Sequence, residues 1–65
     1  MQISVNGKPH EVAATTLAAL LDELDYREAT VATALNQAFV RAVDRPETAL
    51  RDGDAVEILT PRQGG

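Results

Sequence analysis

Met1-Gln2-Ile3-Ser4-Val5-Asn6-Gly7-Lys8-Pro9-His10-Glu11-Val12 opens the chain and decides how the fold begins. Met1, Ile3 and Val5 alternate with Gln2 and Ser4, the period of a strand with one buried face. Asn6-Gly7 follows at once. A type I′ turn needs positive φ at both central residues, and Asn-Gly is the strongest short signal for it. The chain then returns over 8–12, with Val5 opposite Lys8 and Met1 opposite Val12. Pro9 has no N–H for a ladder, so this returning strand belongs at a sheet edge.

Outward from the hairpin, Thr15 or Thr16 can cap a helix with its hydroxyl. Leu17, Leu20, Leu21 and Leu24 then repeat at i, i+3, i+4 and i+7, one apolar stripe of a helix over 16–25. Asp22, Glu23 and Asp25 read as its solvated face. Residues 31–35 read as a third strand, with Val31, Thr33 and Leu35 on one face. Residues 36–38 read as a short turn, and Phe39-Val40 as a brief fourth strand. The stretch 41–50, with Pro46 inside it, reads as a loop carrying one helical turn over 47–50. Arg51-Asp52-Gly53-Asp54 is a tight turn. Residues 55–60 form a last strand with Val56 and Ile58 facing inward, stopped by Pro61. Strand, strand, helix, strand, short strand, strand is a compact α+β order. The first and last strands become parallel neighbours in the centre, and the helix covers one face. This is the ubiquitin-like β-grasp arrangement, a mixed four- to five-stranded sheet with one main helix. The expected division is a β-grasp body over 1–60 and a flexible C-terminal tail over 61–65.

Composition narrows the function. Sixty-five residues allow one domain. Ten acidic residues against six basic ones give a net charge of -4, which disfavours binding to phosphate backbones. No apolar run approaches the ~18 residues of a membrane span. The N-terminus lacks the basic and apolar regions of a signal peptide, so a cytosolic protein is expected. Cysteine is absent and His10 is the single histidine, which excludes thiolate and multi-histidine metal sites. Hydrophobic residues make up 45% of the chain, but 11 are alanine, and the aromatics are only Tyr26 and Phe39. A domain this small buries roughly 60% of its unfolded surface. Little interior remains for a deep active site. A domain that presents a surface or a terminus to a larger protein is a better reading than an enzyme.

The sequence finishes in Gly64-Gly65, directly after the last strand of this pattern. An arm without Cβ atoms can thread a narrow channel and lie flat in a partner's active site. Five residues from Pro61 reach at most roughly 17 Å, enough to enter another protein's catalytic centre while the body stays outside.

Several stretches carry a resemblance over nearly the whole chain: residues 1–7, the helix leucines, Ala34-Leu35-Asn36, Val40-Arg41, and above all residues 50–59 followed by Gly64-Gly65. In these the sequence resembles the sulfur carrier proteins of thiamine biosynthesis, the ThiS family. Two departures stand out. Arg62 occupies a position that is often aliphatic in the family, and Ala38-Phe39-Val40-Arg41 lacks the proline of the usual pattern.

The resemblance implies a co-substrate rather than a catalyst. An E1-like adenylyltransferase (ThiF-type) would use ATP and magnesium to turn the Gly65 carboxylate into an acyl-adenylate. Sulfur from a cysteine-derived persulfide, supplied indirectly by a cysteine desulfurase, would displace AMP and leave a Gly65 thiocarboxylate. Thiazole synthase (ThiG-type) would take that sulfur into the thiazole. Arg62, Gln63 and Gly64 would form the arm that carries it. ATP would bind the partner, since the chain has no Gly-rich phosphate loop. The free carrier is expected to be a monomer.

Other residues are weaker. His10 has no oriented partner in sequence and reads as a surface or rim histidine. Asp52-Gly53-Asp54 lacks the twelve-residue calcium pattern and reads as a turn. Tyr26 reads as a packing residue. Phe39, Val40 and Leu59 either extend the small core or stand on the open sheet face as a docking patch. In the second case Asp54 and Glu57 would meet basic residues of a partner and speed encounter. The same tail chemistry also serves other acceptors: molybdopterin synthase, tRNA thiolation or cysteine synthesis. The molybdopterin subunit tends to be longer, with aromatic residues before its tail, where this chain has Leu59-Thr60-Pro61. A ubiquitin-like modifier or a plain interaction domain is the reading from another class.

Overall fold

The computed structural model describes residues 1–26 and 30–61. Within them the order is β1 (Gln2–Val5), β2 (Lys8–Glu11), α1 (Leu17–Glu23), β3 (Ala32–Leu35), β4 (Ala38–Val40), a 3-10 helix (Ala42–Glu47) and β5 (Ala55–Leu59). The five strands form one sheet in the order β2-β1-β5-β3-β4. β1 and β5 run parallel, while the β1–β2, β3–β4 and β3–β5 pairs are antiparallel. This is the expected β-grasp: the first and last strands are neighbours, and Pro9 lies on the edge strand β2.

The hairpin forms as its residues dictate. Val5 pairs with Lys8 and Gln2 with Glu11, around Asn6 at φ 53° and Gly7 at φ 83°. Gly7 sits where any Cβ would be strained by the backbone rather than by neighbours. The second hairpin uses the same device with less favoured residues. Asn36 at φ 50° and Gln37 at φ 73° make a two-residue turn, so Ala38 pairs with Leu35 as part of β4 instead of belonging to the turn.

α1 starts where a hydroxyl is available. Thr16, not Thr15, is the N-cap, and its Oγ1 accepts from Ala19 N–H at 3.1 Å. The helix is shorter than its leucine stripe. Leu17, Leu20 and Leu21 are buried, while Leu24 is the half-buried C-cap and Asp25 turns the chain at φ 69°. Tyr26 N–H then donates to Leu21 O at 2.7 Å, and the Tyr26 ring packs against the core.

The core is the layer between α1 and one sheet face. It unites Ile3, Val5, Val12, Ala14, Leu17, Leu20, Leu21, Leu50, Val56 and Ile58. Thr33 is buried among them at 2% exposure, and its hydroxyl donates to Val40 O at 2.9 Å. Arg45 reaches in from the 3-10 helix, donating from Nε to Thr33 Oγ1 at 3.0 Å and from Nη2 to Val31 O at 2.7 Å.

One expectation is corrected here. The helical turn placed at 47–50 lies instead at Ala42–Glu47, with Pro46 inside it. Proline reads as a helix breaker, but its fixed φ suits a short 3-10 segment held by local bonds. Asp44 N–H donates to Arg41 O at 2.9 Å, and Thr48 Oγ1 donates to Asp44 O at 2.7 Å. Residues 48–50 run extended beside the start of α1, through a bridge of Thr16 to Ala49. Leu17 N–H donates to Thr48 O and Leu50 N–H to Thr15 O, both at 2.9 Å. Glu23 is exposed, as expected of the solvated face, and it also serves the backbone. Its Oε1 accepts from Ala13 N–H at 3.1 Å and Ala14 N–H at 2.9 Å. The segment joining β2 to α1 has no strand partner there, so a helix carboxylate satisfies its donors.

Candidate functional site

The alternation of β5 decides what the open sheet face offers. Val56 and Ile58 point into the core, so Ala55, Glu57 and Leu59 point away from α1. Register then identifies their neighbours. Leu59 lies opposite Ala32, and Glu57 opposite Ala34, which lies opposite Phe39. The open face of β3 is therefore floored by two alanines, with Leu59 and Phe39 on either flank. Two strand spacings across and two residues along put these side chains about 12 Å apart. Phe39 is 70% exposed and Leu59 66%. Of the three residues considered for docking, these two stand on the open face. Val40 is half-buried against the core.

At the end of β5 nearest the tail, Thr30, Val31, Ala32, Leu59, Thr60 and Pro61 line a shallow apolar depression of about 310 Å³. Arg45 holds two residues of this region, through the Val31 carbonyl and the Thr33 hydroxyl. Pro61 is the last described residue of the body. Arg62, Gln63, Gly64 and Gly65, the expected arm and its sulfur-bearing end, lie outside the described residues.

The two acidic docking candidates differ. Glu57 is exposed on the open face. Asp54 is half-buried, and both its oxygens act within the chain. Oδ2 accepts from Arg51 N–H at 2.8 Å, closing the turn around Gly53 at φ 90°, and Oδ1 accepts from Asn36 Nδ2 at 3.1 Å. Asp52 also serves the backbone, its Oδ1 accepting from Gln2 N–H at 2.7 Å. Arg41 leaves β4 paired with Asp44 at 2.9 Å. The hydrogen bond to Asp44, reinforced by its charge, raises the Arg41 guanidinium above its ordinary pKa.

His10 is half-buried on β2 opposite Ile3. It lines a separate depression with Val5, Asn6, Lys8, Leu24 and Tyr26. Val43 is the exposed apolar residue that sequence reasoning passed over, at 72% exposure on the 3-10 helix. Its signal was faint, a single valine in a stretch with no period.

A ubiquitin-like sheet with an alanine-floored open face and a terminal strand running out at Pro61 invites comparison with known proteins. The model of the ThiS family matches residues 3–65. The chain belongs to the ThiS family. Among curated relatives, the sulfur carrier protein ThiS of Thermus thermophilus is 36% identical over 61 residues, covering 94% of this chain and 95% of that protein. The crystal structure of the thiamine biosynthesis protein ThiS from Geobacter metallireducens superposes with a TM-score of 0.84 at 35% identity, over the full length of both chains. The solution structure of a thiamine biosynthesis protein from the same organism gives 0.81 at 33% identity, covering all of this chain and 88% of the other. No helix among the described residues is long and apolar enough to cross a membrane.

Proposed function

We infer that the chain is a sulfur carrier of thiamine biosynthesis, a protein co-substrate rather than a catalyst. The observation that carries this reading is the family match extending to residue 65, over a body whose last strand ends next to the tail. A carboxylate is a poor electrophile. An E1-like adenylyltransferase of the ThiF type, with ATP and magnesium, converts the Gly65 carboxylate into an acyl-adenylate with AMP as leaving group. Persulfide sulfur, drawn from cysteine through a desulfurase, attacks the adenylate and expels AMP to give an acyl disulfide, and a thiol then reduces its S–S bond, leaving the Gly65 thiocarboxylate and a disulfide on the donor. The tethered sulfur does not diffuse away and passes to thiazole synthase. The chain itself brings the terminus and a docking surface. Leu59 and Phe39 over the Ala32–Ala34 floor are the apolar anchors of that surface, and Glu57 adds charge that steers a basic partner. Asp54 contributes by holding the turn that starts β5, not by a free carboxylate. The carrier works as a monomer in the cytosol.

The test is intact-mass analysis after incubation with the adenylyltransferase, ATP, magnesium and a persulfide source. The expected product carries one sulfur in place of one oxygen at Gly65. A chain that keeps its mass while an authentic carrier in the same reaction is converted refutes the reading.

A further inference from the structure

β5 outlasts its central neighbour. β1 ends at Val5, opposite Val56, yet β5 continues to Leu59. A single side chain fills the gap. Asn6 donates its backbone N–H to Val56 O at 2.9 Å. Its amide then takes over, with Ile58 N–H donating to Oδ1 at 2.8 Å and Nδ2 donating to Ile58 O at 3.1 Å. A carboxamide offers one acceptor and a donor side by side, as a peptide group does, so it stands in for the next residue of a strand. With φ at 53° the Asn6 backbone turns off into the hairpin while the side chain stays beside β5. On the other flank the β3 ladder closes at Ala32 opposite Leu59. Ile58 and Leu59 are thus held from both sides, just ahead of Thr60 and Pro61.

Asn36 provides a matched case at the far end of β5. Its backbone N–H donates to Ala55 O at 2.7 Å, and its Oδ1 accepts from Ala55 N–H at 2.9 Å, again from a left-handed backbone at φ 50°. The two asparagines share a left-handed backbone and an Oδ1 that accepts from a β5 N–H, while Asn36 Nδ2 donates to Asp54 Oδ1 at 3.1 Å. They differ in which end of the strand they hold.

We propose that Asn6 is a positioning residue for the carrier's tail. Its amide fixes the direction in which the chain leaves the sheet at Thr60 and Pro61, the residues that partner enzymes meet just before the reacting end. This rests on the reading of the tail as the reacting end. Ordering a segment before contact lowers the cost of binding it. The effect falls on capture and not on chemistry, because the carboxylate itself is unchanged.

Asn6→Gly is the informative variant, since glycine accepts the left-handed backbone and only the amide is lost. Asn36→Gly is the control. Without any partner, residual dipolar couplings of the Leu59 and Thr60 amides should change in Asn6→Gly and stay as in the wild type in Asn36→Gly. In ATP–pyrophosphate exchange with the adenylyltransferase, Asn6→Gly should raise KM for the carrier about three- to tenfold with kcat kept within about twofold. Asn36→Gly should leave KM unchanged while lowering the melting temperature to a similar degree. Equal KM rises in both variants would assign the effect to lost stability, and an unchanged KM in Asn6→Gly would show that this direction does not matter. Either result overturns the proposal. A wild-type chain that is not activated at all refutes the carrier reading instead. The dipolar couplings then decide the role of Asn6 alone: changed couplings uphold it and unchanged ones overturn it.

Discussion

Replacing Phe39 or Leu59 with Asp separates docking from folding, because both side chains already stand largely in water. At 70% and 66% exposure, neither contributes much burial to the monomer. What an aspartate costs there is strand preference, a scale that spans about 1 kcal/mol. In a domain of this size that lowers the melting temperature by about 4–8 °C. Leu20, fully buried on α1 at 0% exposure, sets the contrast: truncation to alanine there costs about 2–5 kcal/mol. In the complex the ranking reverses. An apolar anchor pressed onto a partner over the Ala32–Ala34 floor is worth 2 kcal/mol or more, about thirtyfold in Kd. A carboxylate in its place must also be desolvated. Calorimetric titration of each variant against the adenylyltransferase and against thiazole synthase, beside thermal melts, reads both quantities. The expected outcome is a folded variant whose Kd has risen at least thirtyfold for one or both partners. Folded variants that bind within about threefold of the wild type refute the open face as the docking surface, since no steric or electrostatic account tolerates a buried aspartate at so small a cost.

The remaining predictions concern the terminus and the scaffold. Removing Gly65, or adding one residue after it, should abolish thiocarboxylate formation and leave the melt unchanged; conversion of the altered chain, seen by intact mass, would sink the terminal assignment. Leu20→Ala should lower the unfolding free energy by about 2–5 kcal/mol, a large part of a domain's margin, as denaturant titration followed by circular dichroism will show. Thr16→Ala removes the cap on Ala19 N–H and should cost about 1 kcal/mol in the same assay, whereas Thr15→Ala, which removes no cap, should cost well under half of that. Glu23→Ala leaves the Ala13 and Ala14 donors to water and should cost about 0.5–1.5 kcal/mol; amide exchange at residues 13 and 14 should speed up while exchange at Ile58 follows only the global loss.

Much of the fold is legible in the chain because its signals are local. Asn6-Gly7 needs only the backbone preference of two residues to set the Val5–Lys8 register. The leucine period at 17, 20 and 21 needs only the pitch of a helix. Val56 and Ile58 needed only strand alternation to be placed inside. The family resemblance lay in linear motifs as well, notably residues 50–59. What the sequence did not disclose depends on groups far apart in the chain. Glu23 looks like any solvated helix acid until the segment before α1 is found to lack a strand partner. Asp54 looks like a free surface charge until Arg51 and Asn36 close on it. Pro46 hid the 3-10 helix because its local signal, a helix breaker, is weaker than the bonds Arg45 makes to Thr33 on β3 and to Val31 just before it. Phe39 and Leu59 could be named from sequence, but whether they extended the core or stood outside it turned on strand register. Register follows from which backbone groups pair across β3, β4 and β5, and the β3–β5 pairings, from Ala32 with Leu59 to Leu35 with Val56, join residues far apart in the chain. The sequence by itself determined the strands, the helix and their order; only the tertiary structure decided which polar side chains complete the backbone and which apolar ones remain open to a partner.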